Sequence, residues 1–513
     1  MVIMRRRVAV VAAVLADRFA FGAQQRTLPA MGYNTWNDVR CEGVSEARLL
    51  ALAGGLVESG FAAKGYAYLN IDDCWQEPFL GDDGRLVPSK AAFPNGLSVV
   101  VDGAHRLGLK VGLYADRGFK TCAFRAGSRG REDLHAAQFA AWGVDYLKYD
   151  SCYSPNLSRA GAIDDYLRMR DALAAHAPSI RYSLCGWSAW YAPAMAEESG
   201  VHSWRVGADC DEWANVYEVA RSLEALSPFA GPALGYNDPD MLVGTTGGGA
   251  IALTPDQSRT QFSLWAVAAA PLLLGTPPHA MSAWDAATYG NERVIAVDQD
   301  PLGIPGKPAA STCPAKEPKD NWWCSPWSMP RDVFEMWLGG LRTLAATLAV
   351  LGAAAGYRGR RRSARGFVAA ALVALAYGRV LVGYRPRVDA CVQVWARPLA
   401  DTGVALLFVN WGPDAATVDC DARCLRDAGI LGNWGLARFI GNRSNPCDAT
   451  CKAGGQAAKK VVDLVSGEAL PPLGAGGLTF HVAGGGASRL VKVGGHGGDP
   501  ADWPGPWGDL RGE

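Results

Sequence analysis

The chain has 513 residues, 49% of them hydrophobic, and its 50 Lys and Arg balance its 50 Asp and Glu. That length exceeds what one hydrophobic core supports, so two folded domains with extra segments are expected. A net charge of zero supplies no overall field to gather nucleic acid or an anionic membrane, so no nucleic-acid partner is expected and any charge that does chemistry must be local.

At the N-terminus the basic start MRRR and the apolar stretch VAVVAAVLA (8–16) are too short to span a bilayer. They read as a signal peptide and leader over residues 1–27, with a frayed tail as the alternative. The sequons Asn156-Leu157-Ser158 and Asn442-Arg443-Ser444 and the 13 cysteines agree with an oxidising destination: secreted, lysosomal, vacuolar or otherwise lumenal. The close pairs Cys420/Cys424 and Cys447/Cys451 have no His at ligand spacing, so they read as disulfide positions rather than metal sites. No metal and no organic cofactor is expected.

Over residues 28–305, β-rich runs alternate with helical patterns. The runs are MGYNTW, YAYLNIDD, KVGLYAD, VDYLKYD, RYSLCGW, HSWRVGA, PALGYND and APLLLG. Stretches such as SEARLLALAGGLVESGF between them repeat apolar residues at three and four. Eight such units predict an α/β fold of the (β/α)8 TIM-barrel class, in which function is built at the C-terminal ends of the strands. Trp36, Asp72, Asp73, Tyr114, Asp116, Lys148, Asp150, Arg205, Asp209, Asp238 and Asp240 fall at or just past those ends. Asp alone is favoured at turns and helix caps, so the recurrence of such residues carries more weight than any single one.

Residues 306–388 break the pattern. They hold Cys313 and Cys324, a candidate local disulfide, then two long apolar stretches (336–357 and 366–384) joined by RGRRRSAR. As a pair, 336–384 reads as a transmembrane hairpin with its basic loop in the cytosol, as a soluble Ala-rich helical hairpin, or as coding sequence that never folds. From 389 to 493, short β-rich runs separated by Gly, Pro and Asp predict a C-terminal antiparallel β-sandwich domain. The Gly- and Pro-rich stretch 494–513 reads as a disordered tail.

The ordered series GYNTWN, YLNIDDCW, GLYAD with KTC, VDYLKYDSCY, WRVGADCDEW, GYNDPDML and DQDPLG resembles the melibiase-type α-galactosidases of glycoside hydrolase family 27. The resemblance implies a barrel with a C-terminal β-domain and a retaining exo-glycosidase that removes terminal α-galactosyl groups by double displacement. Asp150 matches the family's nucleophile and Asp209 its general acid/base. Such a pair needs carboxyls about 5 Å apart, one ionised and one protonated. Lys148, on the same strand face as Asp150, is expected to keep the nucleophile ionised, and the surroundings of Asp209 to raise its pKa. Trp36, Asp72, Asp73, Tyr114, Lys148, Gly186 and Arg205 match sugar-binding positions. Cys41 with Cys74, and Cys122 with Cys152, match family disulfides.

The fifth strand end departs from the family's pattern. Gly186 and Ala189 stand where small residues accompany N-acetylgalactosamine specificity in relatives, which opens room beside the sugar's C2 unless Trp187 or Trp190 refills it. Cys185 lacks its family partner, since Val201 occupies that place, and reads as a buried free thiol. The expected substrate is an α-galactoside, and a homodimer is kept open. The rival readings are an α-N-acetylgalactosaminidase, a β-L-arabinopyranosidase on the same scaffold, or an inactive carbohydrate-binding protein.

Overall fold

The computed structural model describes residues 28–316, 387–431 and 459–495 apart from 157, 197, 248 and 475, with scattered helical positions between 343 and 372. The expected leader, Cys324, the Cys447/Cys451 pair, most of the 336–384 hairpin and the tail beyond 495 lie outside the described residues. Among the described residues no helix is long and apolar enough to cross a membrane.

Eight parallel strands form one sheet: β1 (Met31–Asn34), β2 (Tyr68–Ile71), β3 (Lys110–Asp116), β4 (Tyr146–Asp150), β5 (Arg181–Leu184), β6 (Ser203–Arg205), β7 (Tyr236–Asp238) and β8 (Leu272–Leu274). β8 pairs with β1, and the ring closes just past β7, where Leu242 pairs in parallel with Leu274. The expected barrel is therefore present. β4 shows how it aims side chains. In YLKYD, Leu147 and Tyr149 point to one face and Lys148 and Asp150 to the other. Leu147 and Tyr149 are fully buried in the main core, and the Tyr149 ring packs 6.0 Å from Tyr166 on the helix Arg159–His176. With that face committed to apolar packing, Lys148 and Asp150 are left to the barrel interior, and a one-residue slip would exchange the two sets. Register then sets their neighbours: Tyr114 lies beside Lys148, and Asp116 beside Asp150.

The helices follow their sequence signals. Ser45 caps the helix Glu46–Glu58 by accepting from the Arg48 amide, and that helix buries Leu49, Leu52, Ala53 and Leu56 at helical spacing. Thr254 and Gln257 form a capping box at the start of Pro255–Val267.

The second sheet is antiparallel, in the order β14-β13-β16-β11-β10-β9, formed by β9 (Lys307–Ser311), β10 (Val392–Pro398), β11 (Val404–Asn410), β13 (Val461–Asp463), β14 (Ala469–Leu470) and β16 (Ala487–Val493). A two-stranded sheet of β12 (Ala416–Cys420) and β15 (Leu478–Val482) faces it. The two-residue period divides the large sheet between two cores. Val394, Ala396, Leu406 and Phe408 pack with Val418 and Leu478 inside the sandwich, whereas Trp395, Ala405, Leu407 and Val409 join the barrel's core. Buried Arg397 secures that junction by donating to the carbonyls of Ala266 and Asp298.

Two expectations change here. β9 falls in the 306–388 segment read as an insertion, yet it is the edge strand of this sheet and pairs with β10. Its antiparallel register sets Ser311 against Gln393, which brings Cys313 to Cys391 rather than to Cys324. The disulfide spans 78 residues. Peptide mapping under non-reducing conditions should recover Cys313 linked to Cys391. Cys391→Ser should lower the melting temperature, with a loss of about 2–5 kcal/mol. A map that pairs Cys313 with Cys324 would contradict the strand pairing.

Candidate active site

The C-terminal mouth of the barrel gathers Asp72, Asp73, Asp116, Asp150, Asp238 and Asp240, each no more than 5% exposed. A buried carboxylate must find donors or take up a proton. Asp72 is held by Asn34 Nδ2 at 2.8 Å and Lys148 Nζ at 2.7 Å, both on Oδ2. Asp73 accepts from the amides of Cys74 (2.7 Å) and Ala123 (2.9 Å), and burial still pushes its pKa up. Asp116 accepts from the amides of Gly118 and Cys152, and burial together with the neighbouring Asp150 drives it well above the usual carboxylate range.

Asp150 accepts from the Tyr114 hydroxyl at 2.8 Å on Oδ2 and from the Ser151 amide at 2.8 Å on Oδ1. Burial raises its pKa to about 6. Lys148 and Tyr114 oppose the shift, while Asp209 adds to it. Lys148 acts in the expected direction, favouring ionised Asp150, but its direct bond goes to Asp72 and burial raises the pKa by more than the ammonium lowers it.

Arg205 is the second cation. Its guanidinium meets Asp209 Oδ1 at 2.9 Å and Asp240 Oδ1 at 3.0 Å. Asp240 Oδ2 in turn accepts from the Cys210 amide at 2.7 Å, and Asp238 accepts from the Asp240 amide at 2.9 Å. The loop carrying Asp209 is thus tied at both ends to Asp240. For Asp209, burial pushes the pKa up, but Arg205, Lys148 and Arg40 outweigh it and hold the carboxyl below its ordinary value. The Asp209 side chain is 43% exposed and bonded to Arg205, so the downward direction stands. The raised pKa expected for Asp209 is therefore reversed.

The remaining expected residues surround these groups. Trp36 lies at the start of the short helix Trp36–Val39 with the Arg40 guanidinium 4.8 Å over its ring. Cys41 is bonded to Cys74, and Cys122 to Cys152, which ties the loops after β3 and β4 together beside Asp150. Cys185 and Cys210 are buried free thiols. Gly186 does not open the space expected of it. A Cβ there would lie 1.9 Å from Cε2 of Tyr191, whose ring stacks on Trp190 at 3.8 Å and meets Tyr166 edge-on. Sequence reasoning looked to Trp187 or Trp190 to fill that volume and missed Tyr191. It also missed Asn34, whose inward position at the end of β1 was the available signal.

Comparison with known proteins agrees with this geometry. The sequence family described as "Alpha galactosidase A" matches residues 28–300. An alpha-galactosidase of Cyamopsis tetragonoloba is 41% identical over 286 residues, 55% of this chain and 67% of the relative. One from Oryza sativa subsp. japonica is 38% identical over 327 residues, 63% of this chain and 74% of the relative. In structure, an alpha-galactosidase of Saccharomyces cerevisiae solved with raffinose shares the fold, with a TM-score of 0.65, 22% identity and coverage of 92% of this chain and 99% of that one. The chain belongs to this family, the melibiase-type α-galactosidases of glycoside hydrolase family 27.

The raised pKa of Asp150 has a consequence for stability. The native state holds this proton more tightly than the unfolded chain, so stability falls as pH rises from about 4, the unfolded value, through about 6 and then levels off. Asp150→Asn removes the buried charge. At pH 7 it should be more stable than the native chain by about 1–3 kcal/mol, and the difference should vanish near pH 4. Thermal unfolding across that range tests this, and a variant less stable at pH 7 would contradict it.

Proposed function

We propose that the protein is a retaining exo-glycosidase that hydrolyses terminal non-reducing α-D-galactosyl residues from oligosaccharides and glycoconjugates, with Asp150 as nucleophile and Asp209 as general acid/base. The carrying observation is the pairing of a buried carboxylate, held by Tyr114 in the field of Lys148, with a partly exposed carboxylate on the same barrel mouth. In the first step an Asp150 oxygen bonds to the anomeric carbon, the bond to the aglycone oxygen breaks, and Asp209 gives that oxygen its proton. In the second, Asp209 takes a proton from water, the water oxygen bonds to the anomeric carbon, and Asp150 is released.

Asp209 must carry a proton in the first step, and its bond to Arg205 works against that. Arg205 is also among the residues assigned to hold the sugar. A sugar hydroxyl that draws the guanidinium away weakens its hold on Asp209 and raises the acid's pKa, so substrate binding prepares the proton donor. Asp72 and Asp73 are assigned to accept from sugar hydroxyls, and Trp36 to cover the C–H face. At C2, the Tyr191 ring fills the room beside Gly186 that an acetamido group would need, which favours galactose over N-acetylgalactosamine. Four disulfides among the described residues fit a secreted or lumenal location. The reading calls on neither a membrane anchor at 336–384 nor a second subunit.

With p-nitrophenyl glycosides, the α-galactoside should be cleaved ahead of the α-N-acetylgalactosaminide and the β-L-arabinopyranoside. Asp150→Asn should lower kcat by more than roughly 10³-fold. Asp209→Asn should slow methyl α-galactoside more than the nitrophenyl substrate, whose leaving group needs less protonation. Dominant cleavage of the N-acetylgalactosaminide would overturn the C2 argument. Galactose binding without turnover that depends on Asp150 would make the protein a lectin-like binder.

A further inference from the structure

Two bulky residues at the rim of the site adopt left-handed backbone: Phe124 with φ 62° and Tyr153 with φ 43°. This region costs any L-residue with a large side chain, and such strain concentrates at ligand sites. Core packing does not repay it here, because Phe124 is 62% exposed and Tyr153 50%. Their rings instead lie against each other, with centroids 4.8 Å apart and planes inclined by 39°.

The support beneath the pair is stiff. Phe124 follows Cys122 by two residues and Tyr153 follows Cys152 directly, so the disulfide joins their loops. Cys122 Sγ is 3.5 Å from Asp150 Oδ2, which sets this rim beside the proposed nucleophile. The two loop backbones touch: a Cβ at Gly118 would fall 1.9 Å from the Cys152 carbonyl oxygen. The turn carrying Phe124 is closed by the Thr121 amide on the Arg125 carbonyl (3.0 Å) and the Arg125 amide on Thr121 Oγ1 (2.9 Å).

We propose that Phe124 and Tyr153 form an aromatic subsite for a sugar ring of the aglycone, the saccharide joined to the galactosyl unit across the scissile bond. The inference rests on the glycosidase reading above. Because Cys122 Sγ lies 3.5 Å from Asp150 Oδ2, an occupant of this rim would adjoin the anomeric carbon on the aglycone side. Flat rings that stay half open to water suit a pyranose, whose C–H face stacks while its hydroxyl edge remains hydrated. An acyl chain would instead need an enclosed apolar groove. Fixing the rings before binding lowers the cost of ordering them on the ligand.

The test is the ratio of kcat/KM for raffinose to kcat/KM for methyl α-D-galactoside, whose aglycone cannot reach the rim. Phe124→Ala and Tyr153→Ala should each lower that ratio about tenfold, the effect of uncovering one ring face. Phe124→Gly should lower it equally while raising the melting temperature, since glycine accepts left-handed backbone without strain; a purely structural role for Phe124 predicts no change in the ratio. An unchanged ratio in the double variant overturns the subsite, and so does an equal loss on both substrates. A change in oligomeric state with an unchanged ratio would mark the pair as a contact between copies and also overturns it. If the native chain cleaves neither substrate, the glycosidase reading itself fails, which is a separate result.

Discussion

Among the described residues, Lys148 and Arg205 are the cations that ion-pair with the aspartates of the barrel mouth, and the rest of the site depends on how they are shared. Lys148 pairs with Asp72. Arg205 is divided between Asp209 and Asp240. Asp73, Asp116, Asp150, Asp238 and Asp240 are left with more burial than compensation, and all five are pushed above the ordinary carboxylate value. An enclosure with more acids than bases carries negative potential or takes up protons. Both outcomes suit the proposed chemistry. Negative potential stabilises the oxocarbenium-like charge of glycoside cleavage, and a reservoir of protons lies beside the leaving group.

That arrangement is possible because the remainder of each strand is committed elsewhere. Leu147 and Tyr149 fix β4 against the surrounding helices, and the parallel registers carry the same alternation to Tyr114 and Asp116 on β3. The β-sandwich braces the barrel from another side. Trp395, Leu407 and Val409 extend the barrel's core, so one sheet belongs to two hydrophobic clusters at once. Each polar group at the mouth is aimed by apolar contacts several residues away.

Much of this was legible in the sequence because it is local. Each expected barrel run contains an observed strand, and the polar residues at the strand ends do converge. What the sequence did not carry depends on contacts between distant segments. β9 is an unremarkable KPAAS whose identity as a strand comes from its pairing with β10. β12 is likewise defined by its pairing with β15, which lies some sixty residues on. The Cys313 partner follows from that pairing and not from proximity along the chain. Gly186 invited a reading of empty space, but vacancy is a property of the neighbourhood, and Tyr191 on the next short helix fills it. The reversed pKa of Asp209 is of this kind too: Arg205 stands four residues earlier in the sequence, yet only the loop conformation fixed by Asp240 brings the guanidinium onto the carboxylate.

Several features that oppose stability are found at the catalytic mouth of the barrel. Asp150 holds a carboxylate where burial disfavours its charge, and Phe124 and Tyr153 hold strained backbone at the surface. A protein stable by only about 5–15 kcal/mol can keep such features only if other contacts over-determine them. Here the over-determination is visible: two disulfides, Cys41–Cys74 and Cys122–Cys152, lie in the loops that carry the strain, and the strands beneath are fixed by fully buried aromatic and aliphatic residues. The cross-links therefore sit where the proposed chemistry asks for conformations the chain would not otherwise keep. Their placement beside Asp73 and Asp150 argues that they serve the site.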